Sequence, residues 1–461
     1  MFKWEKVLVY IEIWRKKMKS KVIFKIVSIF MAMLMFSFCF AGCKGDETPS
    51  SSNTETSSAL SNEQTDSKTE EGSSLEESSS SKKEESSSSS KVTTSTNASS
   101  EAESKKTVFD LVDFVVEVPA GREPVILQLT DTQIIDSSQE RSENRLGDSQ
   151  DALWGPDTLE KNLFQYIKET INATKPDLIL VTGDLVYGEF DDKGTSMQAL
   201  IKHMESYKIP WAPIYGNHEG ETELGIDWYS KQLEDAKYCL FKQKQLHKGA
   251  EIGGCGNYTV GIKQGGKLTR VFFMMDSNGY TRRSMKTVSN IYTTSAIGLQ
   301  SAQQEWSSSK MLEILSLSKN TKFSLAYHIP NLAAQEAFSK YEKGTDISAA
   351  ENKGAEDFGF KVGEMSEIWD RNNSYYNNVK ICGVDSILMG HYHSIGATVK
   401  SDGVYFIFGL KTGTYDSHIK RLPNGELVTT GAGTSLVGGT VMTLKTDGTI
   451  SKLYNYICGE K

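Results

Sequence analysis

From Thr107 to the C-terminus, short apolar runs alternate with longer stretches whose apolar residues recur every three or four positions. Pro124–Thr130, Pro-Val-Ile-Leu-Gln-Leu-Thr, reads as a buried strand, because a nearly continuous apolar run suits a strand covered on both faces. Leu159, Leu163, Ile167 and Ile171 share one helical face, and Pro176 closes that helix because its ring cannot continue the hydrogen-bond ladder. Asp177–Thr182 is again a strand, followed by a helix through Leu200, Met204 and Tyr207 and by a strand over Trp211–Tyr215. Val271–Met275, Phe323–Tyr327 and Ser386–Met389 continue the series, and Val404–Phe408 and Gly438–Leu444 read as hairpins closing a second sheet. The alternation predicts one α/β domain over residues 107–461, since no second linker interrupts it.

The N-terminal part follows different rules. Val22 to Phe40 is apolar except for Lys25, Ser28 and Ser37, follows a basic start and ends in Phe40-Ala41-Gly42-Cys43. That layout predicts an export signal over residues 1–43. The run is also just long enough for a retained transmembrane helix. Small residues directly before a cysteine resemble the bacterial lipoprotein processing site, which makes Cys43 the expected lipid-bearing residue and places the domain on the extracytoplasmic face of the cell membrane. Met18, followed by Lys19 and Lys21, is a second plausible start. Between residues 44 and 106 nearly every position is Ser, Thr, Glu, Lys, Asp or Asn, so nothing offsets the entropy of ordering and a disordered linker is expected.

The net charge of -8 and the lack of a basic stripe with interleaved aromatics argue against a nucleic-acid partner. Setting Cys39 and Cys43 aside leaves Cys239, Cys255, Cys382 and Cys458. In an exported chain a Cys239–Cys255 bridge and buried free thiols are both open, and no spacing matches a zinc site. Oligomeric state is not legible.

Asp131, Asp184, Asn217, His328, His391 and His393 each fall at or just past the end of a predicted strand, where open α/β sheets build their sites. A lone histidine after a strand is usually a packing residue, but a series of strand ends bearing oxygen or imidazole donors points to a metal centre. The blocks Gly183-Asp184, Gly216-Asn217-His218-Glu219 and Gly390-His391-Tyr392-His393, with Thr130-Asp131-Thr132-Gln133 before them and Tyr327-His328 between, resemble the signature of the calcineurin-like metallophosphoesterase superfamily. Ile209-Pro210-Trp211-Ala212, Gly256-Asn257-Tyr258, Gln304-Glu305-Trp306 and His328-Ile329-Pro330 are similar to its purple-acid-phosphatase-29-like and Dcr2-like branch.

The resemblance implies a four-layer sandwich, two mixed β-sheets face to face with helices outside, and two divalent or mixed-valence ions, Mn, Fe or Zn. It makes Asp184 the bridging carboxylate, gives Asn217, His328 and His391 to one ion and Asp131 and His393 to the other, and makes His218 a catalytic group beside them. A hydroxide bridging the ions would then attack a phosphate ester. One departure stands out: the family's first block usually ends in histidine, whereas this chain has Gln133. Gln133 is taken as a ligand, with Tyr187 as the alternative, since it stands where purple acid phosphatases place an iron-binding tyrosinate. The polar stretch after the first block, with Arg141, Arg145, Asp148 and Asp151, is either a substrate contact or a solvated loop. Besides a phosphoesterase, two readings stay open: a low-activity lipoprotein binding phosphorylated ligands through one metal, and a surface adhesin on a Ser-rich stalk.

Overall fold

The computed structural model describes residues 106–139, 156–279, 281–284, 287–293, 297–347, 357–429 and 432–459. The export signal, Cys43, all of the predicted linker except Lys106, and the stretch carrying Arg141, Arg145, Asp148 and Asp151 lie outside the described residues. No described helix is long and apolar enough to cross a membrane.

In chain order the principal strands and helices are β1 (Phe114–Val118), β2 (Val125–Leu129), α1 (Pro156–Thr174), β3 (Leu178–Thr182), α2 (Thr195–Glu205), β4 (Trp211–Ile214), α3 (Ile226–Glu234), β5 (Tyr258–Gln264) and β6 (Lys267–Met274). They continue with α4 (Ser301–Leu317), β7 (Lys322–Ala326), α5 (Leu332–Phe338), β8 (Thr345–Asp346), β9 (Phe358–Lys361), α6 (Ser374–Ile381), β10 (Val384–Met389), β11 (Ile395–Ser401), β12 (Val404–Phe408), β13 (Gly438–Leu444) and β14 (Ile450–Ile457). The strands form two large mixed sheets. One runs β1-β5-β6-β7-β10-β12-β11-β9-β8, the other β14-β13-β2-β3-β4. In each, the strands that carry site residues are parallel neighbours: β7 with β10, and β2 with β3 with β4. Their C-terminal ends therefore open on the same side of each sheet.

Why the central strands read as unbroken apolar runs is visible in β6. Phe272 and Met274 pack into the core shared with Leu127, Leu129 and Val181 of the smaller sheet, while Val271 and Phe273 pack with Trp306, Met311 and Ile314 of α4. Alternate residues thus enter two different cores, as the two-residue period of a strand requires. Ala326, Leu388 and Ile407 of β7, β10 and β12 join the first core, and their chain neighbours Leu325, Ile387, Met389 and Phe406 join the second. Hydrogen bonds stitch the sheets directly: Gln128 Nε2 donates to Met389 O at 2.9 Å, Tyr258 Oη to Pro213 O at 2.5 Å and Asn455 Nδ2 to Gly396 O at 2.7 Å. The sandwich with helices outside is the architecture expected from the resemblance.

Two expectations are corrected. Val404–Phe408 and Gly438–Leu444 do not close one sheet together: β12 pairs with β10 and β11 in the larger sheet, whereas β13 pairs with β2 and β14 in the smaller. Each is a hairpin strand, but neither amphipathic pattern specifies the sheet it joins. The Cys239–Cys255 bridge is not formed, and Cys239, Cys255, Cys382 and Cys458 are free. Cys239 is held beside the edge of β4, where Trp211 N donates to Tyr238 O and Leu240 N to Trp211 O. The Cys255 thiol instead lies 3.2 Å from Ser230 Oγ, and burial pushes it up to about 12, so neither thiol is poised for exchange.

Candidate metal centre

Five strand ends converge on one point. Asp131 and Gln133 follow β2, Asp184 follows β3, Asn217 and His218 follow β4, His328 follows β7, and His391 and His393 follow β10. Asp131, Gln133, Asp184 and His391 have φ of 49°, 43°, 51° and 75°, a left-handed conformation that non-glycine residues adopt rarely and that concentrates at functional sites. Close approach also demands a missing side chain: a Cβ on Gly390 would stand 2.3 Å from Thr130 Oγ1 and 2.8 Å from Asp131 Oδ2.

The donors are aimed at one another without enough protons to pair them. His328 is fully buried; its Nδ1 donates to Thr182 O at 2.8 Å, which leaves Nε2 facing Asp184 Oδ2 at 3.3 Å and Asp131 Oδ1 at 4.0 Å. That Nε2 has no well-aligned hydrogen-bond partner. His391 has both nitrogens against oxygens, Nε2 3.1 Å from Glu367 Oε2 and Nδ1 2.9 Å from Asn217 Oδ1. A neutral imidazole carries one N–H for those two acceptors, and a cation beside Nδ1 and Asn217 Oδ1 resolves the mismatch. His393 Nε2 lies 3.3 Å from Asp131 Oδ1, so the two histidines of the Gly-His-Tyr-His block address different carboxylate and amide partners. One ligand atom from each of Asp131, Asp184 and His393 falls within 4.8 Å of the others.

Electrostatics tell the same story. Burial works against ionising Asp131, but the hydrogen bond and charge of His393, with His328 and Lys411 behind them, hold its pKa down at about 2. Burial likewise opposes the Asp184 charge and is outweighed by His328 and His218, which keep that carboxyl well below its usual range. In return the carboxylates hold a proton on His328 up to about 10, against the opposing effect of burial. Two ionised carboxylates buried this deeply call for positive charge, and the proton on His328 occupies the direction a metal would take. The residues present therefore fit a divalent cation.

His218 sits at the rim of this cluster. Its Nδ1 is 3.0 Å from Glu221 Oε2, its Nε2 is 3.9 Å from Asp184 Oδ2, and its ring stacks on Tyr187 at 4.1 Å. Burial lowers its proton affinity, yet Glu221 and Asp184 raise it further, to about 9. Tyr187 packs with Ile135, Phe190 and Tyr415, its face given to the His218 imidazole. A cavity of ≈ 270 Å³ opens above Asp184, Asn217 and His218, walled on the far side by His391, His393 and Asp416.

Gln133 lies inside the cluster, but its amide is engaged twice: Nε2 donates to Asp184 Oδ2 at 3.4 Å, and Oε1 accepts from Lys411 Nζ at 2.5 Å. Sequence reasoning missed Lys411, which is 2% exposed and also donates to Asp131 O at 3.2 Å. Burial pulls its pKa down to about 8 against the charges of Asp131, Asp416 and Asp184. The available signal was a lysine three residues past the apolar strand β12. Glu219 ends the Gly-Asn-His-Glu block, and its neighbours in sequence do not reveal what it holds. Its carboxylate accepts from Gly216 N at 2.7 Å and Leu185 N at 2.5 Å, tying together the loops that carry Asn217 and Asp184. Glu367 was also missed, since nothing in its local sequence marks it.

A family model described as calcineurin-like phosphoesterase matches residues 124–395. Phosphatase DCR2 of Saccharomyces cerevisiae is 27% identical over 132 residues, which cover 28% of this chain and 22% of that protein. The probable inactive purple acid phosphatase 29 of Arabidopsis thaliana is 29% identical over 164 residues, covering 34% of this chain and 41% of its own length. The matched regions thus span well under two thirds of both relatives. Among solved structures, a dimetal phosphatase from Danio rerio aligns over 69% of this chain and 95% of that one, with 11% identity and a TM-score of 0.38. The purple acid phosphatase PPD1 of yellow lupin aligns over 72% of this chain and 53% of that one, with 10% identity and a TM-score of 0.30.

Proposed function

The chain belongs to the calcineurin-like phosphoesterase family, and from that premise we propose that it is a metal-dependent hydrolase of phosphate esters acting outside the cytosol. The observation that carries the proposal is the buried meeting of Asp131, Asp184, His328 and His393, in which His328 Nε2 lies 3.3 Å from Asp184 Oδ2 and 4.0 Å from Asp131 Oδ1, and His393 Nε2 lies 3.3 Å from Asp131 Oδ1. In this reading Asp184 serves two metal positions, Asn217, His328 and His391 complete one, and Asp131 and His393 belong to the other. Mn, Fe and Zn suit such oxygen and imidazole donors. When bound, such ions would supply Lewis acidity toward the phosphoryl oxygens and would lower the pKa of a coordinated water from about 15.7 toward about 7.

The protein's own groups do the rest. Glu221, fully buried, keeps a proton on His218, so this imidazole faces the cavity as a donor suited to a leaving alkoxide. Glu219 holds the Asp184 and Asn217 loops at a fixed spacing. Tyr187, stacked on His218, fixes the plane of the ring. The ≈ 270 Å³ cavity admits a phosphoryl group and part of its ester substituent. The direct test is turnover of phosphate monoesters, diesters and nucleotide diphosphates by the full chain with Mn, Fe or Zn. Metal-dependent hydrolysis of at least one class is expected, and no turnover with any metal would overturn the proposal.

A second reading, a poorly active protein that binds phosphorylated ligands through one metal, draws on the engagement of Gln133 by Lys411 and on a relative whose name calls it inactive. Metal bound without turnover would favour it. Anchoring through a lipid on Cys43, with residues 44–106 as a tether, is part of the main proposal. Detergent phase partitioning tests it: the wild type should enter the detergent phase and Cys43→Ser should not, whereas a variant still in detergent would indicate a retained apolar helix.

A further inference from the structure

Lys411 occupies an unusual place for a lysine. It follows β12, is 2% exposed, and extends its Nζ to Gln133 Oε1 at 2.5 Å and to the backbone oxygen of Asp131 at 3.2 Å. Its position is fixed by the backbone on either side. Thr412 N donates to Thr130 O at 3.0 Å, Gly413 N to Asp131 O at 3.3 Å, and Gly438 N to Lys411 O at 3.1 Å. The ammonium is therefore built into the floor beneath the first block.

The consequences fall on one half of the site. A lysine ammonium has donors and no acceptor, so whatever faces it must be an oxygen. That requirement turns the Gln133 amide oxygen toward Lys411 and the amide nitrogen toward Asp184 Oδ2, 3.4 Å away. A nitrogen bearing two hydrogens cannot ligate a cation. The half around Asp131, Asp184 and His393 thus keeps three converging donors, and the ammonium adds a positive charge behind them. The other half has His328, His391, Asn217 and Asp184, with the His218 imidazole 3.9 Å from Asp184 Oδ2 at its rim and, among the described residues, no ammonium in contact with His328 or His391.

We propose that Lys411 makes the two metal positions unequal, holding Gln133 out of coordination and supplying part of the positive charge that Asp131 would otherwise take from an ion. The position at Asn217, His328 and His391 then fills tightly, and the position at Asp131 and His393 fills weakly. The inference rests on the reading of this cluster as a metallophosphoesterase centre. It makes activity at the second position responsive to the free concentration of the metal.

The test is Mn titration of the metal-stripped full chain, followed by calorimetry and by metal analysis after gel filtration. The wild type should retain one equivalent and bind a second at least ~10-fold more weakly, a separation of about 1.4 kcal/mol. Lys411→Met should strengthen the weaker step by ~10-fold or more, and Lys411→Arg, which keeps the charge, should not. Two equivalents of equal affinity in the wild type would overturn the inference while leaving the phosphoesterase reading intact. No bound Mn at all would overturn that reading as well. If Lys411→Met fails to fold, equal affinities in the wild-type titration still refute the inference.

Discussion

Gly216→Ala isolates the geometry of the site from its chemistry. Gly216 follows β4 and its backbone is not in the left-handed region, so alanine is conformationally acceptable there. The obstacle is space. A Cβ would stand 2.1 Å from Asp184 Oδ1, 2.8 Å from its Cγ and 2.6 Å from its backbone nitrogen. Reaching even a 3.0 Å spacing requires the oxygen to move by 3.0 − 2.1 = 0.9 Å. Rotating the side chain does not relieve the clash with the backbone nitrogen, so the loops after β3 and β4 must part against the Glu219 carboxylate that clamps them. Overpacking of this kind costs roughly 1–3 kcal/mol of stability. A displacement of about 1 Å at a group on the reaction path lowers rate by about 100-fold. The expected result is a folded protein with a modestly lowered melting temperature, weakened metal retention and about 100-fold lower kcat on a chromogenic phosphate ester. Wild-type metal retention and kcat in Gly216→Ala would show that Asp184 is not the group on which the centre turns.

Two further outcomes follow from individual contacts. Glu367 accepts from His391 Nε2 at 3.1 Å, and the Tyr392 hydroxyl, which accepts from Ser366 N and Glu367 N, pins the loop that carries it; Glu367→Ala should weaken metal binding by roughly 10–100-fold, measured by competition with a chelating dye, and unchanged affinity would refute that role. Burial raises the Asp191 carboxyl from 3.8 to about 6 despite hydrogen bonds from Ser196 N, Met197 N and Tyr229 Oη, so the folded state binds its proton more tightly than the unfolded chain does. Its contribution is fully present below about pH 4 and is lost as pH rises through about 6. Denaturant midpoints should show that decline in the wild type and a flatter profile in Asp191→Asn, and identical slopes would contradict the assignment.

How far the sequence reaches can be judged residue by residue. The strand-end positions of Asp131, Asp184, Asn217, His328 and His391 were legible because parallel strands buried on both faces announce themselves as apolar runs, and a polar donor at the end of each run is conspicuous. The strand positions themselves agree with the structure to within a few residues, as with Asp177–Thr182 against Leu178–Thr182. Sheet membership was not legible, since β12 and β13 have similar patterns and their partners are fixed only by tertiary packing. Lys411 was not legible either: its partner Gln133 is 278 residues away, and a lysine after a strand ordinarily points to solvent. Glu367 depends in the same way on a loop position that no periodicity encodes. The missing bridge between Cys239 and Cys255 reflects a local pairing of Cys239 with Trp211 that spacing does not reveal.

The proposed hydrolysis of phosphate esters depends on a metal held at Asp184. The most direct measurement is the rate of ester hydrolysis by the full chain as isolated, after chelation, after metal return, and in Asp184→Ala at matched protein and metal concentrations. Hydrolysis should disappear on chelation, return with Mn, Fe or Zn, and be absent from a folded Asp184→Ala at every metal concentration. Hydrolysis that survives chelation, or that persists at the wild-type rate in Asp184→Ala, would exclude a catalytic metal at Asp184.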